Sequence, residues 1–160
     1  MSDSRCIHRL LLTSVMLAVI PVAGAAQNTK AAGYVNGTQK VVASVPLADG
    51  TVAKRIEFKM TVVTDDPANP IHLASQDCFA TYVFSKDDKP IAGRGSCDGI
   101  TADGHLWWID IELGADGKVR WTNKGGVGKF SKLTGSGTTT VLADFPDGKT
   151  INRFEGTYSD

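Results

Sequence analysis

Arg55-Ile56-Glu57-Phe58-Lys59-Met60-Thr61-Val62 alternates strictly, with Ile56, Phe58, Met60 and Val62 at one parity and Arg55, Glu57 and Lys59 at the other. Successive side chains of a strand point to opposite faces, so this spacing predicts a strand that is apolar on one side and wet on the other. A helix would scatter both sets around its axis. Trp107-Trp108-Ile109-Asp110-Ile111-Glu112-Leu113 repeats the pattern, setting Trp107, Ile109, Ile111 and Leu113 against Trp108, Asp110 and Glu112.

Working outward from these two segments, further strands are expected at about Gln39 to Pro46, Cys78 to Ser85, Ile91 to Gly99, Lys118 to Asn123, Gly137 to Ala143 and Thr150 to Tyr158. Asp49-Gly50, Asp103-Gly104, Asp116-Gly117 and Asp147-Gly148 punctuate them, and Asp-Gly pairs tolerate the positive φ of tight hairpins. Asp65-Asp66-Pro67-Ala68-Asn69-Pro70 reads as a loop, because two prolines and three Asx residues disfavour both helix and ladder. The 17 glycines and the scarcity of long 3.6-period patterns agree with an all-β chain. Eight strands in meander order predict a single antiparallel up-and-down β-barrel, since closure removes the edges that an open sheet must protect. A two-sheet β-sandwich is the alternative. The barrel domain is expected over residues 38–160, behind a flexible N-terminal arm at 27–37.

Residues 1–26 stand apart. Arg5, His8 and Arg9 precede an uncharged run from Leu10 to Ile20, and Ala23-Gly24-Ala25 then offers the small side chains that signal peptidase accepts. This is the pattern of a secretory signal peptide cleaved after Ala25, give or take one residue. Cys6 lies before the apolar run, so no lipoprotein cleavage box exists. The implied product is soluble and exported, periplasmic or extracellular, with no stable membrane insertion once the leader is cut. No second apolar run approaches the ~18 residues of a transmembrane helix. The whole chain has a net charge of 0, and losing Asp3, Arg5 and Arg9 with the leader makes it −1. A near-neutral domain with interspersed charges has no electrostatic reason to seek nucleic acid.

Cys78 and Cys97 are the two thiols that remain in an oxidising compartment. If the segments flanking Lys86-Asp87-Asp88-Lys89 form a hairpin centred between Asp87 and Asp88, residues whose numbers sum to 175 lie opposite one another, and these two do. Directly opposed residues have Cα atoms ~4.5 to 5.5 Å apart, within disulfide range. A cross-strand disulfide is therefore expected in preference to a redox or metal thiolate pair, which lacks Cys-x-x-Cys spacing and nearby His support.

Chemistry-bearing constellations are sparse. Asp110 and Glu112 share a strand face, as paired carboxylates for acid and base work would, but the apolar residues opposite make a solvated outer face the expected reading. His72 and His105 are isolated beside turns, so no metal site and no cofactor is expected. Tyr82, Trp107, Trp108, Phe130 and the polar Arg94, Asp110 and Glu112 are the candidates for lining a ligand cavity; the aromatics serve equally well as core filling. An eight-stranded barrel is just wide enough to be filled by side chains or to hold one small ligand.

The segment from Trp121 to Gly137, with Gly126-Val127-Gly128-Lys129-Phe130 and then Gly135-Ser136-Gly137, resembles the Gly-Thr-Gly-Lys-Phe then Gly-x-Gly pattern of allene oxide cyclase-like and dirigent-like β-barrels, with Val127 where that pattern usually has Thr. Phe154-Glu155-Gly156-Thr157-Tyr158 is similar to the closing strand of small exported bacterial proteins of that type. The resemblance implies a calycin-like barrel, with Phe130 and Leu133 plugging one mouth and Gly135 and Gly137 permitting close backbone approach. No catalytic position of the cyclases is matched, so their reaction is not carried over. The reading that follows is an exported, non-catalytic barrel binding a small, partly apolar molecule. The alternatives are an isomerase- or cyclase-type enzyme using Arg94, Asp110 or Glu112 in the lumen, and a purely structural or interaction module of the cell envelope. No oligomeric state is specified.

Overall fold

The structure is a computed structural model that describes residues 28–159. The signal peptide expected at residues 1–26 lies outside them. Eight strands run in order: β1 (Thr29–Pro46), β2 (Val52–Thr64), β3 (Ser75–Phe84), β4 (Pro90–Ile100), β5 (Leu106–Leu113), β6 (Val119–Val127), β7 (Thr134–Asp144) and β8 (Lys149–Ser159), with one 3-10 turn at Gly128–Phe130. Each pairs antiparallel with its sequence neighbour, and β1 closes on β8, so the sheet is a closed barrel and not a sandwich. The alternating segments fold as their parity dictates. Ile56 and Val62 are buried while Arg55 and Lys59 are exposed, and Trp107 is buried while Trp108, Asp110 and Glu112 face out.

All four Asp-Gly turns are present, with Gly50, Gly104, Gly117 and Gly148 at φ between 77 and 83°. Asp88 takes the equivalent position of the β3–β4 hairpin at φ 56°, a conformation that a short Asx side chain tolerates better than most. That hairpin has the expected register from Ser75↔Ile100 to Val83↔Ala92, with a shift between Val83 and Phe84 next to the turn, where Phe84 faces Pro90. Cys78 faces Cys97, their Cα atoms are 4.0 Å apart, and the two are joined by a disulfide on the inner wall.

The arm expected at 27–37 is a correction. From Thr29 the chain is already strand, pairing with β8 from Thr29↔Tyr158 to Thr38↔Lys149 and with β2 from Gly33↔Thr64 onward. Ala31-Ala32-Gly33 and Asn36-Gly37 are poor strand formers by composition, but closure demands them: a Cβ at Gly33 or Gly37 would fall 2.3 Å or 2.0 Å from a β2 carbonyl oxygen. The barrel thus begins at Thr29.

The two ends of the barrel differ. At one end, the β2–β3 loop, the β4–β5 turn and the 3-10 turn cover the interior, and Phe130 and Leu133 are buried there as a plug, 2% and 4% exposed. Phe130 meets Trp107 edge to face at 5.4 Å, a geometry that contributes ~0.5–1.5 kcal/mol beyond area burial. Polar contacts tie this end together. The Lys129 backbone N–H donates to His105 Nδ1 at 3.3 Å, Lys129 Nζ reaches Asp103 Oδ2 at 3.0 Å, and the Thr101 hydroxyl donates to the same carboxylate. The other end carries the β1–β2, β3–β4, β5–β6 and β7–β8 hairpins and stays open.

Candidate functional site

Inward parity on eight strands produces a lumen, and its content depends on side-chain volume. The inner face of β4 carries Gly93, Gly95, Cys97 and Gly99, so this wall is nearly bare backbone. Aromatic rings from its neighbours lie across it. A Cβ at Gly93 would sit 2.1 Å from the Tyr82 ring, and one at Gly99 would sit 2.1 Å from the Trp107 ring. Trp121 covers Gly137 and Gly156 in the same way. Rings laid flat on glycines hug the wall and leave the axis empty.

The space left is a cup of about 530 Å³ opening at the hairpin end, well within the ~300–1,000 Å³ of small-molecule sites. Its deeper walls include Ile56, Phe58, Met60, Ile109, Ile111 and the Cys78–Cys97 disulfide. A second compartment of about 70 Å³ continues toward the plug, lined by Ala31, Trp107, Phe130, Leu133 and Phe154 among others. Val35, Gln76, Ile109, Trp121 and Thr139 line both and so mark the boundary.

Polar groups inside are few, and they differ in how they are satisfied. Asn152 is buried, and its amide nitrogen donates to the Val35 carbonyl at 3.3 Å and to the Thr150 hydroxyl at 3.2 Å. Gln76 is only 6% exposed, and its side chain makes no hydrogen bond among the described residues. The Trp121 indole N–H is likewise buried without a partner. A sealed N–H such as that of Trp121 is unfavourable by ~1–3 kcal/mol unless something accepts there, whereas the Gln76 amide faces the lumen. Burial pushes the Tyr82 phenol above its usual range, so it stays a neutral O–H at physiological pH. Charge is confined to the mouth, where Lys54 Nζ pairs with Asp88 Oδ1 at 2.5 Å and lies 4.2 Å above the Phe84 ring, and Gln39 Nε2 donates to Asp144 Oδ1 at 3.2 Å.

The sequence candidates divide between the two faces of the wall. Tyr82 lines the cup, and Trp107 and Phe130 line the inner compartment. Arg94, Trp108, Asp110 and Glu112 do not reach the lumen, which corrects their candidacy as its lining and agrees with the solvated outer face expected of Asp110 and Glu112. Arg94, Glu112 and Arg120 form a cross-strand row on the outer wall, and Lys124 Nζ pairs with Asp110 Oδ2 at 3.1 Å beside it. The reason is parity: with Trp107, Ile109 and Ile111 inward, Trp108, Asp110 and Glu112 must point out. His72 and His105 sit apart on closed-end loops, His72 Nδ1 2.8 Å from the Thr64 hydroxyl, and no group of three His, Cys, Asp or Glu side chains among the described residues is placed to hold a metal ion. Gln76, Asn152 and Lys54 were missed. Gln76 lies two residues before Cys78 and shares its face, and that parity is the signal by which it could have been found.

No protein-family model matches the chain, and no curated protein matches it. A solved structure of a pterocarpan synthase dirigent protein superposes with a TM-score of 0.54, covering 92% of this chain and 98% of that one at 12% sequence identity. At that identity the likeness is one of architecture, and the fold of this chain is a dirigent-like eight-stranded barrel.

Proposed function

We propose that this chain is an exported protein whose barrel binds one small, partly apolar molecule without transforming it. The observation that carries the reading is the cup of about 530 Å³, open at the hairpin end and walled by apolar side chains around the unpaired Gln76 amide. A purely structural module would have that volume filled. An isomerase or cyclase in the lumen loses the three polar groups first assigned to it, because Arg94, Asp110 and Glu112 stand outside. The matched barrel is described as a synthase, but the shared architecture does not bring its chemistry to this chain. The leader-like residues 1–26 and the Cys78–Cys97 disulfide support an oxidising, exported destination.

The test combines native mass spectrometry of protein from its own host with tryptophan fluorescence and melting. A co-purified compound, or a neutral apolar ligand added back, should alter tryptophan emission saturably at one site per chain through Trp121. It should also raise the melting temperature, reaching ~2.7 kcal/mol of added stability at a hundredfold excess over Kd. Absence of any bound mass, together with a broad panel that moves neither signal, overturns the binding reading in favour of the structural one.

A further inference from the structure

The lumen is divided, and the division specifies the kind of molecule it takes. The boundary between cup and inner compartment carries the Gln76 carboxamide, the Trp121 indole and the Thr139 side chain. Gln76 is 6% exposed and unpartnered among the described residues, and the Trp121 N–H is buried and unpartnered. Beyond them the walls of the inner compartment are apolar apart from Asn123 and Tyr158 and carry no charged side chain. An apolar cavity of ~150 Å³ admits benzene, so one of about 70 Å³ suits an end group of two or three carbons. Toward the mouth the larger compartment takes a bulkier apolar body.

From this we infer that the ligand is an uncharged molecule with an acceptor oxygen, of ketone, ester or ether type, set between a short apolar end and a larger apolar body. The short end occupies the inner compartment, and the oxygen sits at the boundary as acceptor for the Gln76 amide. The inference rests on the reading of the lumen as a binding site. An ionised group at that depth has no counter-charge, because Lys54, Asp88 and Asp144 all lie at the mouth and Lys54 is already paired with Asp88. Gln76 is the specificity determinant in this arrangement. Its own chain offers it no partner, so a ligand oxygen there replaces solvent and competes with no protein group.

Three neutral fluorescent probes separate the possibilities: Prodan, a naphthalene whose carbonyl carries an ethyl end; Laurdan, the same fluorophore with a long acyl tail; and N-phenylnaphthylamine, which has no carbonyl. The wild-type disulfide-bonded protein should bind Prodan at one site and Laurdan about tenfold more weakly, since the tail overfills the inner compartment. Gln76→Met, which keeps the side-chain length and removes the amide, should weaken Prodan about tenfold while leaving N-phenylnaphthylamine unchanged. Ala31→Val, which narrows the inner compartment alone, should weaken Prodan and spare N-phenylnaphthylamine, and it serves if Gln76→Met fails to fold. Equal binding of Prodan and Laurdan, or an equal response of Prodan and N-phenylnaphthylamine to the substitutions, overturns the two-compartment assignment while leaving the binding cup intact. Failure of all three probes on the wild type removes the cup itself, and this inference with it.

Discussion

Gly99 and Asp103 show how single residues on one stretch of chain do unlike work. Gly99 exists for the ring above it: a methyl there would lie 2.1 Å from the Trp107 indole, and the ring has the plug behind it. Gly99→Ala should therefore destabilise the barrel by ~1–3 kcal/mol, the usual cost of overpacking, read as a lower urea midpoint at unchanged slope. An unchanged midpoint would show that Trp107 moves freely. Asp103 is a surface residue with an electrostatic role. The Thr101 hydroxyl, then the Lys129 ammonium, hold its carboxyl down to about 2 from 3.8. A depressed folded-state value means that the contribution is fully present above about 3.8 and disappears as pH falls toward about 2. Asp103→Asn should melt below wild type at pH 6, and the gap should narrow between those two values. A gap that stays constant down to the lower pH excludes the assignment.

Among the elements, the β3–β4 hairpin was legible and the first half of β1 was not. The hairpin is local: its turn, with the irregularity beside it at Val83/Phe84, sets a register that opposes Cys78 to Cys97, and parity puts both inside. Replacing both with Ala should lower stability by ~2–4 kcal/mol while keeping the all-strand circular dichroism signature, and intact mass of the native protein should fall by two hydrogens relative to the reduced form. Labelling of both as free thiols in the native state would exclude the bond. Residues 29–37 had no such local signal. Their partners are β2 and, more than a hundred residues away, β8, and Ala, Gly and Asn suit them to close backbone approach while hiding them from any reading by propensity. The same limit explains the site. Parity is written in the sequence, so the inward side of Trp107 and the outward side of Asp110 and Glu112 are readable. Whether the inward side is filled depends on how rings from β3, β5 and β6 lie across the glycines of β4, β7 and β8, and that emerges only once the sheet closes.

For the whole molecule, the start of β1 constrains processing. On the proposed export route, cleavage after Ala25 leaves three residues before the first described strand at Thr29 and cleavage one residue later leaves two, so the processed chain should begin at Ala26 or Gln27 with the β1–β8 seam intact. N-terminal sequencing that finds Met1, or an acyl group on Cys6, would refute export by this route. β1 runs from the plugged end toward the hairpins and β8 runs back, so Thr29 and Tyr158 sit side by side at the end away from the cup. A tether joined immediately before Thr29 or after Ser159 consequently attaches at the plugged end. On a bead, a sensor chip or a cell surface, copies held at either of those two positions would present the opening to the surrounding fluid.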